Sequence, residues 1–201
     1  MTEPDHTVPR EAITGIAIGL MMMAVFTCIW ATIANAGLQG SDHHIALYGF
    51  GALVGVFFAS GIVVFKQAKN FEKATSAADI EMRKKSGMWF GIIFGAEGFL
   101  IFIAVNLVIN LGHPELTIPA IALVVGLHFY PMAKIFKRKV DYYLATWTTL
   151  VAIAGIILSL NKIFNEAQSI AFVGVGTAVA TSCYGIYMLN YGTKLIKQAS
   201  S

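Results

Sequence analysis

Two ionisable residues stand in the middle of apolar runs: Glu97 in "FGAEGFLIF" and His128 in "GLHFYPMAKIFKRK". A carboxyl and an imidazole at one depth can relay a proton, hold a cation or bind the polar group of a ligand. The plainer alternative is a buried hydrogen bond between two helices. Glu97 lies about 13 Å into the run that starts near residue 88, at 1.5 Å per residue. His128 lies about 16 Å into the next run from its opposite end, so the two share a depth if both runs are helices. Other polar side chains keep company with them. Tyr130 follows His128, Asn106 follows Glu97, and Thr177, Thr181, Tyr184, Met188 and Tyr191 recur at i, i+4, i+7, i+11 and i+14. That spacing places the last group on one helical face, which either lines a cavity or hydrogen-bonds to neighbouring helices.

The elements that must position these residues are read from composition. Of the 201 residues, 57% are hydrophobic and 12% charged, and the mean hydropathy is +0.70. Soluble domains carry about 25% charged residues, so the expected solvent is a bilayer. A spanning helix needs about 20 apolar residues. Runs near 12–36, 45–66, 88–111, 117–137, 142–160 and 168–193 meet that length. The expected fold is therefore an all-α polytopic bundle of six transmembrane helices in one domain, 1–201. The first run is followed by "ANAG", a signal-peptidase-like pattern that would leave five helices after cleavage. The run exceeds a signal core of about 7–15 residues and is read as a retained span.

Basic residues set the orientation. Arg10, the group from Lys66 to Lys85, the group from Lys134 to Lys139, and Lys194 with Lys197 all fall on one side; only Lys162 falls on the other. Both termini are expected in the cytoplasm and the protein in the cell (inner) membrane. The net charge of +3 reflects these loops and does not indicate a nucleic-acid partner. The one long connection, 67–87, contains "SAAD" at 76–79, a capping-box-like start for a short cytoplasmic helix, whose basic cluster is read as ordinary positive-inside charge with docking on the anionic inner leaflet as the alternative.

Further expectations concern packing. Residues 53–67 echo 124–138, and the first run echoes the third, as if a helical hairpin were repeated. In that register Glu97 takes the place of Met21 and His128 that of Phe57, so helix packing alone does not demand either ionisable residue. Gly91, Gly95, Asn106 and Asn110 fall on one side of the third run and Glu97 on the other, which predicts a central helix wanting protein or water on both faces. Pro131 removes a backbone donor and frees the carbonyl near Leu127, opening space at His128. Thr146, Trp147 and Thr149 are candidates to extend a cavity. Cys28 and Cys183 lie in apolar runs, where a buried structural role is expected. Asp42, His43, His44 and His113 lie in neighbouring loops and are candidate metal ligands, although their spacing matches no established motif.

The segment "VVGLHFYPMAKIF", 124–136, resembles a stretch found in small, uncharacterised bacterial six-helix membrane proteins. The resemblance implies a six-span layout and carries no activity or cofactor. Three functional readings follow from the residues. The leading one is binding or transport of a cation, a proton-coupled solute or a small amphiphile through Glu97 and His128, with Tyr130, Asn106, Thr181 and Tyr184 around them. The second is a non-catalytic scaffold or accessory subunit with a homo-oligomeric or membrane partner. The third, an intramembrane enzyme, lacks a nucleophile–base or metal-ligand set.

Overall fold

The computed structural model describes residues 9–73 and 76–199. Six helices follow in order: α1 (Arg10–Leu38), α2 (Ile45–Gln67), α3 (Ala77–Asn110), α4 (Thr117–Phe136), α5 (Lys139–Leu160) and α6 (Glu166–Ala199). Short 3-10 turns precede α3 and α4 at Ala68–Asn70 and Pro114–Leu116. All six helices are long and apolar enough to cross a membrane, and no strand occurs among the described residues. The chain is a multi-pass integral membrane protein.

The six runs seen in the sequence become the six helices, with two extensions. α3 begins at Ala77 and α6 continues to Ala199. The short helix expected from residue 76 does start there, but it runs unbroken into the third span. Residues 80–86, "IEMRKKS", contain no proline or glycine to stop it, and such residues propagate a helix readily. Ser76 occupies the N-cap position without a side-chain capping bond. The side chain of Asp79 lies outside the described residues.

α1 and α6 form the central antiparallel pair. A side chain at Gly37 would strike the backbone of Ala171, and a Cβ at Gly174 would lie 2.6 Å from the amide nitrogen of Ala34. Only glycine allows that approach, as expected where membrane helices cross closely. α2 packs beside α1, and its Phe57, fully buried, rests on Gly185 of α6. α4 and α5 pair on the other side through Gly126, where a Cβ would meet the Thr149 amide at 2.7 Å. One buried cluster joins Ile13, Leu20, Phe57 and Tyr184; a second joins Trp30, Ala122, Val151 and Val173.

α3 overturns its expectation. It is the least buried span and α6 the most buried. Among the helices its one close backbone approach is to α4, and α1 and α3 make none. A Cβ at Gly87, Gly91 or Gly95 would meet nothing within 4 Å. Asn106 is exposed and donates to the Phe102 carbonyl of its own helix at 2.7 Å. That internal bond satisfies the amide without a neighbouring helix, so the polar residues did not require a central position. Cys28 and Cys183 are likewise exposed on outer faces, as free thiols. Their small, weakly polar side chains carry no obligation to be buried.

Candidate functional site

A cavity of about 480 Å³ lies between α1, α3, α4 and α6. Each helix contributes one face, in helical spacing. α1 supplies Gly15, Gly19, Met22, Phe26 and Trp30; α3 supplies Phe90, Phe94 and Glu97; α4 supplies Val125, His128, Phe129, Met132 and Phe136; α6 supplies Thr181, Tyr184, Met188 and Tyr191. The wall is apolar and aromatic apart from a few polar groups, as small-molecule sites commonly are.

Glu97 and His128 meet in this wall. The Nδ1 atom of His128 lies 3.2 Å from Oε1 of Glu97, and each side chain is about 10% exposed. The same nitrogen lies 2.6 Å from the Val125 carbonyl. A carbonyl oxygen only accepts, so Nδ1 carries the hydrogen and donates to Val125, with Glu97 as a longer second acceptor. In a neutral ring the lone pair is then on Nε2. Aromatic rings enclose the pair. Phe129 lies 4.2 Å from the imidazole, centroid to centroid, and Phe94 meets it edge-on at 6.4 Å.

A ladder of rings leads from this pair toward the end of the bundle that carries the termini. Phe26 lies 6.1 Å from Phe94, Phe94 lies 5.5 Å from Phe90, and Phe90 lies 6.3 Å from Phe136. At its end the Arg138 guanidinium sits 4.6 Å above the Phe136 ring and 5.5 Å from the Tyr184 ring. Nε of Arg138 donates to the fully buried Asp141 at 3.2 Å. Glu11, at the same end, pairs with Arg83 of α3 at 3.1 Å. The gap between α1 and α3 is thus tied by Glu11–Arg83 at one point and by the Phe26–Phe94 ring contact at another. Between those ties Gly15 and Ile18 line the cavity and are also exposed on the outer surface of α1. The mouth therefore opens sideways, toward lipid.

Of the residues singled out in the sequence, Glu97, His128, Thr181 and Tyr184 come together here. Thr181 also accepts a buried hydrogen bond from Thr27 at 2.9 Å. Tyr130 and Asn106 lie elsewhere. The Tyr130 hydroxyl is 3.0 Å from that of Thr146, at the α4–α5 contact. Trp147 donates to the Gly176 carbonyl at 2.9 Å, and Thr149 abuts Gly126, so neither extends the cavity. α4 stays helical through Pro131 to Phe136, and His128 is satisfied by Val125 rather than by the carbonyl near Leu127. In the loops, Asp42 accepts from the Ala46 amide at 2.8 Å and the His44 amide at 3.1 Å. His44 lies 2.6 Å from the Asn35 side chain, and His113 pairs with Glu115 at 2.9 Å. Among the described residues no three His, Cys, Asp or Glu side chains gather as a metal site.

The residues that sequence reasoning missed are the aromatic wall and the Arg138–Asp141 pair. The signal was present. Phe90, Phe94 and Glu97 stand at i, i+4 and i+7, and Gly15, Gly19, Met22, Phe26 and Trp30 repeat the same face on α1. Comparison with protein-family models, curated protein sequences and solved structures finds no match to the chain.

Proposed function

We propose that the protein binds, and moves across or within the membrane, a small amphiphile that enters from the bilayer between α1 and α3. The single observation that carries this reading is the lateral cavity with Glu97 and His128 in its wall. Its volume falls in the range of about 300–1,000 Å³ typical of small-molecule sites. The apolar rings accommodate a hydrocarbon body, and the Glu97–His128 pair supplies a polar group at mid-depth, where an ionisable side chain is costly and marks function. The excess of Lys and Arg in the loops on the side of the termini supports a cytoplasmic side for them and for the Arg138 end of the cavity.

Site-directed photocrosslinking tests the proposal. Benzoylphenylalanine replaces Phe94 in the cavity wall or Phe102, 64% exposed on the outer surface of α3. The protein is then illuminated in micelles with an alkyne-tagged dodecyl amphiphile. Saturable capture at Phe94, with only unsaturable capture at Phe102, is expected. Equal, unsaturable capture at both positions would sink the reading and favour a scaffold.

A further inference from the structure

We infer that the ligand of this cavity is a hydrophobic organic cation, its charge beside the Glu97 carboxylate and its hydrocarbon body against the aromatic faces of α1, α3 and α4. The inference rests on the amphiphile-binding reading above and names the chemical class.

Charge accounting leads to it. Four side chains able to carry charge near neutral pH line the cavity: Glu11, Glu97, His128 and Arg138. Glu11 is matched by Arg83, and Arg138 by Asp141. Among the described residues, Glu97 is the one carboxylate of the cavity wall with no Lys or Arg at ion-pair distance. Among the described residues its ion-pair partner is His128, whose shared hydrogen is held more closely by the Val125 carbonyl. An ionised Glu97 in this wall lacks a full counter-charge, and a cationic ligand supplies one.

The wall says which kind of cation. An inorganic ion needs several oxygen or nitrogen ligands to replace its water. The rings of Phe94, Phe129 and Phe26 line the same cavity as Glu97, Phe94 and Phe129 lie against its partner His128, and no metal-ligating group of three or more side chains forms among the described residues. A quaternary ammonium or phosphonium ion needs no such ligands, because it is held by ring faces and a counter-charge. The protein already uses this chemistry at the far end of the same cavity, where Phe136 and Tyr184 hold the guanidinium of Arg138. Methionines at Met22, Met132 and Met188 add polarizable, adaptable surface, which suits ligands of varied shape. An anionic amphiphile would meet an Arg138 already committed to Asp141, and Glu97 would repel it.

Equilibrium dialysis of the full chain in neutral-detergent micelles tests the inference with three probes, each measured alone. They are tetraphenylphosphonium, the uncharged triphenylphosphine oxide, and palmitate. Saturable binding of tetraphenylphosphonium in clear preference to the other two is expected. Glu97→Gln should weaken it by about tenfold or more, in line with loss of a charged partner, and Glu97→Asp should retain it. If Glu97→Gln does not fold, Phe94→Leu provides the second reading and should weaken the phosphonium several-fold, roughly one cation–π contact. All three probes binding alike, indifferent to Glu97→Gln, would overturn the cation class and leave the amphiphile reading standing. Palmitate binding alone, lost in Arg138→Gln, would do the same in favour of an anion. No saturable binding of any probe would overturn both readings.

Discussion

At the residue scale, one hydrogen carries much of the site. His128 Nδ1–H serves the Val125 carbonyl and Glu97 together. Replacing His128 with Ala removes the donor and leaves a buried carboxyl without its partner, a change that typically costs about 1–3 kcal/mol. Thermal unfolding in detergent should show that loss, and His128→Gln, which restores a donor, should recover part of it. A second residue gives a dependence on pH. The Ala46 amide, and after it the His44 amide, hold the Asp42 carboxyl below the usual carboxylate value of 3.8. A group whose folded pKa is depressed stabilises the fold above its unfolded pKa and loses that contribution as pH falls through the folded value. Asp42→Ala should therefore lower the unfolding temperature at neutral pH, and the gap to the parent protein should narrow in acid below 3.8. The sequence identified Glu97 and His128 because an ionisable residue inside an apolar run is conspicuous. It did not identify Phe94 or Trp30, because an aromatic residue in a membrane helix is ordinary until a neighbouring helix is seen to stand back from it.

At the scale of elements, the glycines divide by what they touch. Gly174 lies against the Ala34 backbone, while Gly91 faces open space. Gly174→Val should destabilise the bundle by about 1–3 kcal/mol or more, the usual cost of overpacking. Gly91→Val should leave the unfolding temperature nearly unchanged. Chemical or thermal denaturation of the two variants side by side checks the contrast. The same spacing on paper, small residues four apart, marks a tight crossing on α6 and an open face on α3. Periodicity shows that a face exists and not what covers it, which is why the six spans were legible while the central placement of α3 was a misreading. Gly61 of α2 packs against Met21 and Ala17 of α1. Phe57 fills the core against Gly185, whereas His128 looks into the cavity.

At the scale of the whole molecule, the arrangement is a packed half and a splayed edge. α1, α2 and α6 pack closely on one side and α4 with α5 on the other, and α3 packs its backbone closely against α4 but meets α1 only through side chains, so the cavity opens between α1 and α3. With six spans among the described residues both ends of the bundle share a side, and the basic loops predict that this side is cytoplasmic. Single cysteines at Gln39 and Lys137, in a chain lacking Cys28 and Cys183, should react from opposite faces of the membrane, Gln39 from outside, with an impermeant maleimide. Labelling of Lys137→Cys in intact cells would reverse the orientation. The most direct test of the account uses Trp30, which is 4% exposed and lines the cavity, whereas Trp89 and Trp147 are 43% and 49% exposed on outer surfaces. In a protein carrying Trp89→Phe and Trp147→Phe, a dibrominated single-chain amphiphile should quench Trp30 saturably. Gly15→Phe, at a position with open space around it in the mouth, should reduce that quenching. Quenching that rises linearly with added amphiphile and ignores Gly15→Phe would show that nothing enters between α1 and α3, and would contradict the account.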